Sequence, residues 1–182
     1  SVSLTLVGAA VGAWLAGRIA DKLGRIRVMR IAAVLFMIGA LGSAFPFGIV
    51  DLTLWRVVGG LAVGFASVIA PAYIAEISPA SMRGRLGSMY QLAIVLGIAV
   101  SQLVNYALSA AAGGARNNLL GIEAWQWMLA VAAIPALIYL IMTLTIPESP
   151  RFLVANGRTA EAREIIADLE GGSDDVVTKR ME

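Results

Sequence analysis

Gln91, Gln102 and Asn105, with Ile94 and Ile98 between them, lie in one long uncharged stretch from Leu86 to Ala115. Their steps of three and four residues bring them onto a single narrow stripe of a helix. An amide is costly against lipid and useful in a wet crevice. It donates and accepts hydrogen bonds at once, which suits a solute rich in hydroxyls. The same amides could equally serve as polar glue between helices, and periodicity does not choose between these readings. A second arrangement is the pair Arg56 and Glu76, which bracket nineteen uncharged residues, 57–75. A cation and a carboxylate at the two ends of such a run suggest a pathway or a switch; Arg56 could also reach back to the headgroups as a snorkelling side chain. Covalent chemistry has little to work with. The chain has no cysteine and no histidine, which removes disulfides, thiols and the commonest metal ligand and acid–base group. No carboxylate pair is placed for hydrolysis. No metal, cofactor or catalytic residue is expected.

The elements that must hold these residues are membrane spans. Of 182 residues, 59% are apolar and 14% charged, well below the ~25% charge of a soluble domain. The basic residues fall in clusters between apolar runs, so no nucleic-acid partner is implied. The uncharged runs predict five transmembrane helices, over about 3–20, 31–50, 53–77, 86–112 and 124–146, each near the ~20 residues that cross a bilayer. The first run is too long, and lacks the charged leader, for a cleavable signal peptide. Gly8 with Gly12, and Gly60 with Gly64, make two faces that allow close helix contact. Pro71 and Pro135 are expected to bend the third and fifth spans. Gly113 and Gly114 end the fourth, Arg116 to Asn118 form the loop, and Trp125 and Trp127 read as interfacial anchors. From 147 to 172 the chain changes to a pair of amphipathic helices. Ser149 and Thr159 are read as their caps, Pro150 as a first helical residue, and Ala162, Ile165, Ile166 and Leu169 as an apolar stripe. A polar tail fills 173–182.

Two motifs add to this reading. In 17–27, Gly17, Asp21, Lys22, Gly24 and Arg25 occur in a short basic connection with Asp21 at its centre. In 56–83, Gly60 and Gly64 are followed by Tyr73, Glu76 and Arg83, and a further run, Pro147-Glu148-Ser149-Pro150-Arg151, begins the tail. The first resembles the hallmark loop of the major facilitator superfamily, with Ile26 where a base is usual. The other two resemble signatures of its sugar porter family. The resemblance covers nearly all of this chain and aligns its spans with the second through sixth of the family's twelve.

The resemblance implies an all-α polytopic membrane bundle: five transmembrane helices of an N-terminal half, plus a cytoplasmic helical hairpin. It implies alternating-access transport of a monosaccharide, proton-coupled or facilitative, with the lipid bilayer as surroundings. The first span and the C-terminal six-helix half would then lie outside this sequence, so the chain reads as an incomplete transporter. By the same resemblance, Gln91 stands where relatives bind sugar, and Ile94 and Ile98 where they line the cavity; Gln102 and Asn105 follow on the stripe. Arg56 would pair with a carboxylate of the first span in proton-coupled relatives. Glu76, Arg83, Glu148 and Arg151 would join a salt-bridge network between the two halves, forming an inner gate. Gly17, Asp21, Lys22, Gly24 and Arg25 would form a loop that latches to a neighbouring helix in one conformation. Two rivals stay open: an organic-ion carrier of the same superfamily, and a truncated, non-transporting membrane protein.

Charge gives the orientation. Arg18, Lys22, Arg25, Arg27, Arg30, Arg83, Arg85, Arg151, Arg158, Arg163, Lys179 and Arg180 all fall on one side of five alternating helices, with Arg116 on the other. Positive charge collects in the cytoplasm. A plasma (inner) membrane location is expected, with Ser1 outside and Glu182 inside.

Overall fold

The computed structural model describes residues 2–79 and 81–170. The residues beyond 170, including the glycine pair at 171–172 and the polar tail, lie outside the described residues, as does the side chain of Leu169. Among the described residues, five helical stretches are long and apolar enough to cross a membrane. They are α1 (Val2–Leu23), α2 (Arg25–Ala44), α3 (Ile49–Ile77), α4 (Arg83–Ala112) and a fifth split into α5 (Ala124–Val131) and α6 (Ala133–Thr145). Two short helices follow, α7 (Pro150–Ala155) and α8 (Thr159–Glu170).

Small residues set the packing order. α1 lies against α3 backbone to backbone. A Cβ on Gly8 would meet the Val57 carbonyl oxygen at 2.5 Å, and one on Gly12 would reach the Leu61 backbone. From the other side, Gly60 abuts Thr5 and Ala9, and Gly64 abuts Ala9, Gly12 and Ala13. The two glycine faces therefore interlock, each filling the space the other leaves. α2 packs on the opposite flank of α3, where a Cβ on Gly39 would meet the Gly59 amide at 2.9 Å and Gly42 sits under the Trp55 ring. α2 in turn carries the fifth span through two polar ties. Arg30 Nε donates to the Thr143 carbonyl at 3.2 Å, and Gln126 Nε2 donates to the Ala44 carbonyl at 2.9 Å. The apolar core joins α1, α2 and α3 through Ala16, Ala20, Val28, Ala32, Phe65 and Ile69.

α4 is different. It touches α3 and α5, yet none of its residues is buried. It ends at Gly113 in the left-handed region (φ 72°), with the Gly114 amide closing onto the Ser109 carbonyl at 2.9 Å. That φ is one glycine adopts freely. A two-residue hairpin, β1 (Asn118–Leu119) paired with β2 (Ile122–Glu123), then leads into α5. Glu123 and Gln126 form a reciprocal capping box at its start. Trp125 Nε1 donates to Glu123 Oε2 at 2.6 Å and Trp127 Nε1 to the Leu119 carbonyl at 2.8 Å, so both expected anchors are bonded to this turn.

Several boundaries differ from the uncharged runs. The second helix covers Arg25–Ala44, not 31–50. Arg25, Arg27 and Arg30 lie inside its first turns: Arg27 is exposed, while Arg25 and Arg30 are half-buried and bonded to Glu76 and to the Thr143 carbonyl. The helix stops before Pro46, and Asp51 belongs to the first turn of α3, where its Oδ2 accepts from the Phe47 amide at 3.0 Å. The basic connection at 17–27 is not a loop. Only Gly24 (φ 94°) separates α1 from α2. The fifth span breaks at Ala132, three residues before Pro135, as expected when proline removes a donor and crowds the preceding turn. Ser149 takes the N-cap backbone position before Pro150, but its hydroxyl bonds elsewhere. Thr159 is the first residue of α8, not its cap. Of the stripe on α8, Ala162 and Ile166 are buried and Ile165 half-buried.

Candidate functional site

Two groups of residues could carry function, and they stand apart in the fold. The first is a polar hub at the end of the bundle where α1 stops and α2 starts. Gly24 makes it possible. Its positive φ turns the chain sharply, and a Cβ there would collide with the Glu148 carboxylate and the Phe152 ring. The exposed amides at the start of α2 then point at an acid: Glu148 Oε1 accepts from the Arg25 amide at 3.0 Å and the Ile26 amide at 3.2 Å. A carboxylate at a helix N-terminus satisfies orphan donors and meets the positive end of the helix dipole. Glu148 Oε1 also accepts from the Ser149 amide at 3.0 Å.

Arg25 is the centre of this hub. Its Nε and Nη2 donate to Glu76 Oε1 at 3.2 and 3.1 Å, and its Nη1 to Asp21 Oδ1 and the Ala20 carbonyl, both at 3.0 Å. The two ion pairs differ in surroundings. Glu76 is 10% exposed and Asp21 73%, so the first is shielded and the second is screened by solvent. Glu76 Oε2 accepts the Ser149 hydroxyl, which explains why that hydroxyl does not cap α7. Tyr73 Oη donates to the Pro147 carbonyl at 2.7 Å. The starts of α2 and α7 and the end of α3 are thereby fastened together.

Among the described residues Asp21 meets only Arg25, of its own connection, and Glu148 holds the helix N-terminus. Glu76 and Glu148 are brought together; Arg83 and Arg151 are exposed and form no ion pair among the described residues. Gly17 has open space around it, and Lys22 is exposed. The sequence contained the hub's residues, but not the pairing of Arg25 with Glu76 across 51 positions. The signal was weak: a base opening one helix and an acid closing another.

The second group is the stripe on α4. Gln91, Ile94, Ile98 and Gln102 are exposed and Asn105 half-buried. Among the described residues, none of the three amides makes a side-chain hydrogen bond. The half-buried residues of α4 are Leu86, Tyr90, Val104, Asn105, Leu108, Ser109 and Ala112; counting 100° per residue, the first three and Leu108 centre about 100° round the helix from the stripe, while Asn105, Ser109 and Ala112 fall within its arc. Arg56 is half-buried on α3, and its Nε is buried with no hydrogen-bond partner among the described residues.

The chain resembles known proteins throughout its length. It matches the family described as "Sugar (and other) transporter" across residues 1–181. It is 55% identical over 174 residues to a glucose transport protein of Synechocystis sp., covering 94% of this chain and 37% of that protein. It is 36% identical over 190 residues to the D-xylose-proton symporter of Escherichia coli K12, covering 94% of this chain and 38% of that one. Its fold superposes on the proton:xylose symporter XylE bound to 6-bromo-6-deoxy-D-glucose with a TM-score of 0.88 and 33% identity, over 98% of this chain and 40% of that structure. The chain therefore spans well under half the length of these relatives. With its multi-pass helical bundle, its glycine seam and its Arg25 hub, the chain belongs to the sugar (and other) transporter family.

Proposed function

We propose that this chain supplies five spans of the N-terminal half of a sugar transporter that works by alternating access, two bundles rocking about a central solute site. The observation that carries this reading is the largely exposed stripe on α4: amides at helical spacing, in a membrane helix with no buried residue, without side-chain partners among the described residues. Amides left so in lipid would be costly; beside a water-filled site they bind hydroxyls. The names of the relatives, for glucose and for D-xylose, favour a monosaccharide over an organic ion. No bond is made or broken in the solute.

In this reading Gln91 contacts the sugar, Ile94 and Ile98 shape the cavity, and Gln102 and Asn105 extend it. The buried Nε of Arg56 fits a carboxylate supplied from outside this chain; protonation of that acid would break the pair and couple transport to protons. The Arg25 hub keeps the ends of α2, α3 and α7 moving as one body. Arg83 and Arg151, exposed and without acid partners among the described residues, are then the cations free to meet the other half when the inner side closes. A gate requires contacts present in one state only. The basic end faces the cytoplasm and the protein sits in the plasma (inner) membrane.

The test is uptake into vesicles by a full-length protein carrying these residues, over a panel of sugars and organic ions. Saturable, stereospecific sugar uptake is expected. Uptake of organic ions alone would overturn the reading.

A further inference from the structure

A cleft of about 350 Å³ opens at the charged end of the bundle, between the end of α1, the first turns of α2 and α7. That volume falls within the range of small-molecule sites. Four cationic side chains line it: Lys22, Arg27, Arg30 and Arg158. The acid on its lining is Glu148, whose Oε1 already accepts three amide hydrogen bonds. Lys22 and Arg27 are exposed and have no ion-pair partner among the described residues. Arg30 is tied through Nε to the Thr143 carbonyl, which fixes its stem on the lining. Arg158 shares its charge with Glu161, Nε to Oε1 at 2.8 Å, and this hydrogen-bonded pairing raises its pKa further above the usual guanidinium range. The rest of the lining is Asn156 and four apolar residues, Leu23, Ile26, Ile146 and Phe152.

We propose that this cleft binds the phosphate of an anionic phospholipid headgroup. Its place at the ends of the spans argues for lipid over a soluble phosphate. The lining includes Leu23, where α1 ends, and Ile146, one residue past the end of the fifth span, so the cations sit where the apolar spans give way to headgroups. Lys22 and Arg27 offer charge to a phosphate diester, and the apolar wall suits the glycerol and upper acyl chain behind it. Basic clusters at the ends of spans attract anionic lipid by this route. The inference draws on the ends of the spans and is independent of which solute the protein moves.

The test uses a full-length protein carrying these residues, in nanodiscs of phosphatidylcholine with a minority of phosphatidylglycerol. Retained lipid is counted by native mass spectrometry. Wild type is expected to retain phosphatidylglycerol preferentially. Replacing both Lys22→Gln and Arg27→Gln should lower that preference by about thirtyfold, and Arg158→Gln should lower it less. Arg116→Gln, at the opposite end of the bundle, should leave it unchanged. Equal retention of the two lipids by wild type would overturn the proposal, as would an unaltered preference in the double variant or an equal loss in Arg116→Gln. Displacement of the lipid by inorganic phosphate at constant ionic strength would assign the cleft to a soluble anion and overturn the lipid source.

Discussion

At the hub, the central polar groups bond one another: Arg25 to Glu76 and Asp21, Glu148 to three amides, the Ser149 hydroxyl to Glu76. On α4, three amides at regular spacing have no such partners among the described residues, and the helix buries nothing. The two regions share a chain and a membrane, yet one is closed on itself and the other is left open. The contrast separates what holds this bundle together from what it offers to something else. A closed network rigidifies. Under the proposed function, open, evenly spaced amides in a span would take a partner of matching chemistry.

The comparison can be broken most sharply at the seam beneath the hub. Gly64→Val would drive a branched side chain into Ala9 and Ala13 of α1, at a cost of about 3 kcal/mol or more. Little folded protein should survive detergent extraction, as read by size-exclusion chromatography. Gly97 on α4 has nothing within 4 Å of an added Cβ, so Gly97→Ala in this chain should change stability by under ~1 kcal/mol. Equal damage from both would erase the distinction between the regions.

Next in size is Glu76→Ala, which leaves Arg25 without its shielded acid. A loss of about 2 kcal/mol is expected, below the usual cost of orphaning a fully buried charge because Arg25 is 16% exposed. A double-mutant cycle should give Arg25 and Asp21 a coupling under ~1 kcal/mol. Thermal unfolding of the four variants measures both, and a stronger coupling to Asp21 would invert the hub. Gln91→Ala should act on transport and not on stability. In a full-length protein, KM for the sugar should rise about tenfold with melting temperature and expression unchanged, the worth of one lost hydrogen-bonding group. A fall in melting temperature with KM intact would return the stripe to helix–helix glue. The smallest effect is expected from Arg83→Ala: a shift of no more than about fivefold toward inward-open populations, followed by accessibility labelling on both faces.

Much of the fold was legible in the sequence because lipid imposes simple rules. Uncharged runs predict five spans, and five such helices are present among the described residues. The two glycine pairs predict close faces, and those faces meet each other. The boundaries were less legible. An uncharged run describes side chains, whereas a helix is a property of the backbone, so Arg25, Arg27 and Arg30 look like a loop while lying inside α2. The hub was half legible. Its acids and bases are motif residues, but which acid meets which base depends on how α2, α3 and α7 converge, and no local spacing encodes that. Nothing in periodicity distinguishes a serine that caps its own helix from one, such as Ser149, that reaches across to Glu76. The stripe on α4 follows directly from spacing; what it meets does not, since spacing within one helix says nothing of the surface it faces.

The jointed fifth span has a mechanical consequence. It is broken at Ala132 and pinned to unbroken α2 on either side of the break, by Gln126 to Ala44 and by Arg30 to Thr143. A hinge bridged by a straight strut cannot fold freely: bending it must stretch one pin or drag α2 along. Strain entering at the hairpin end is thus handed down through α2 toward Arg25, so the two ends of this bundle are geared to each other without any side chain running the distance between them.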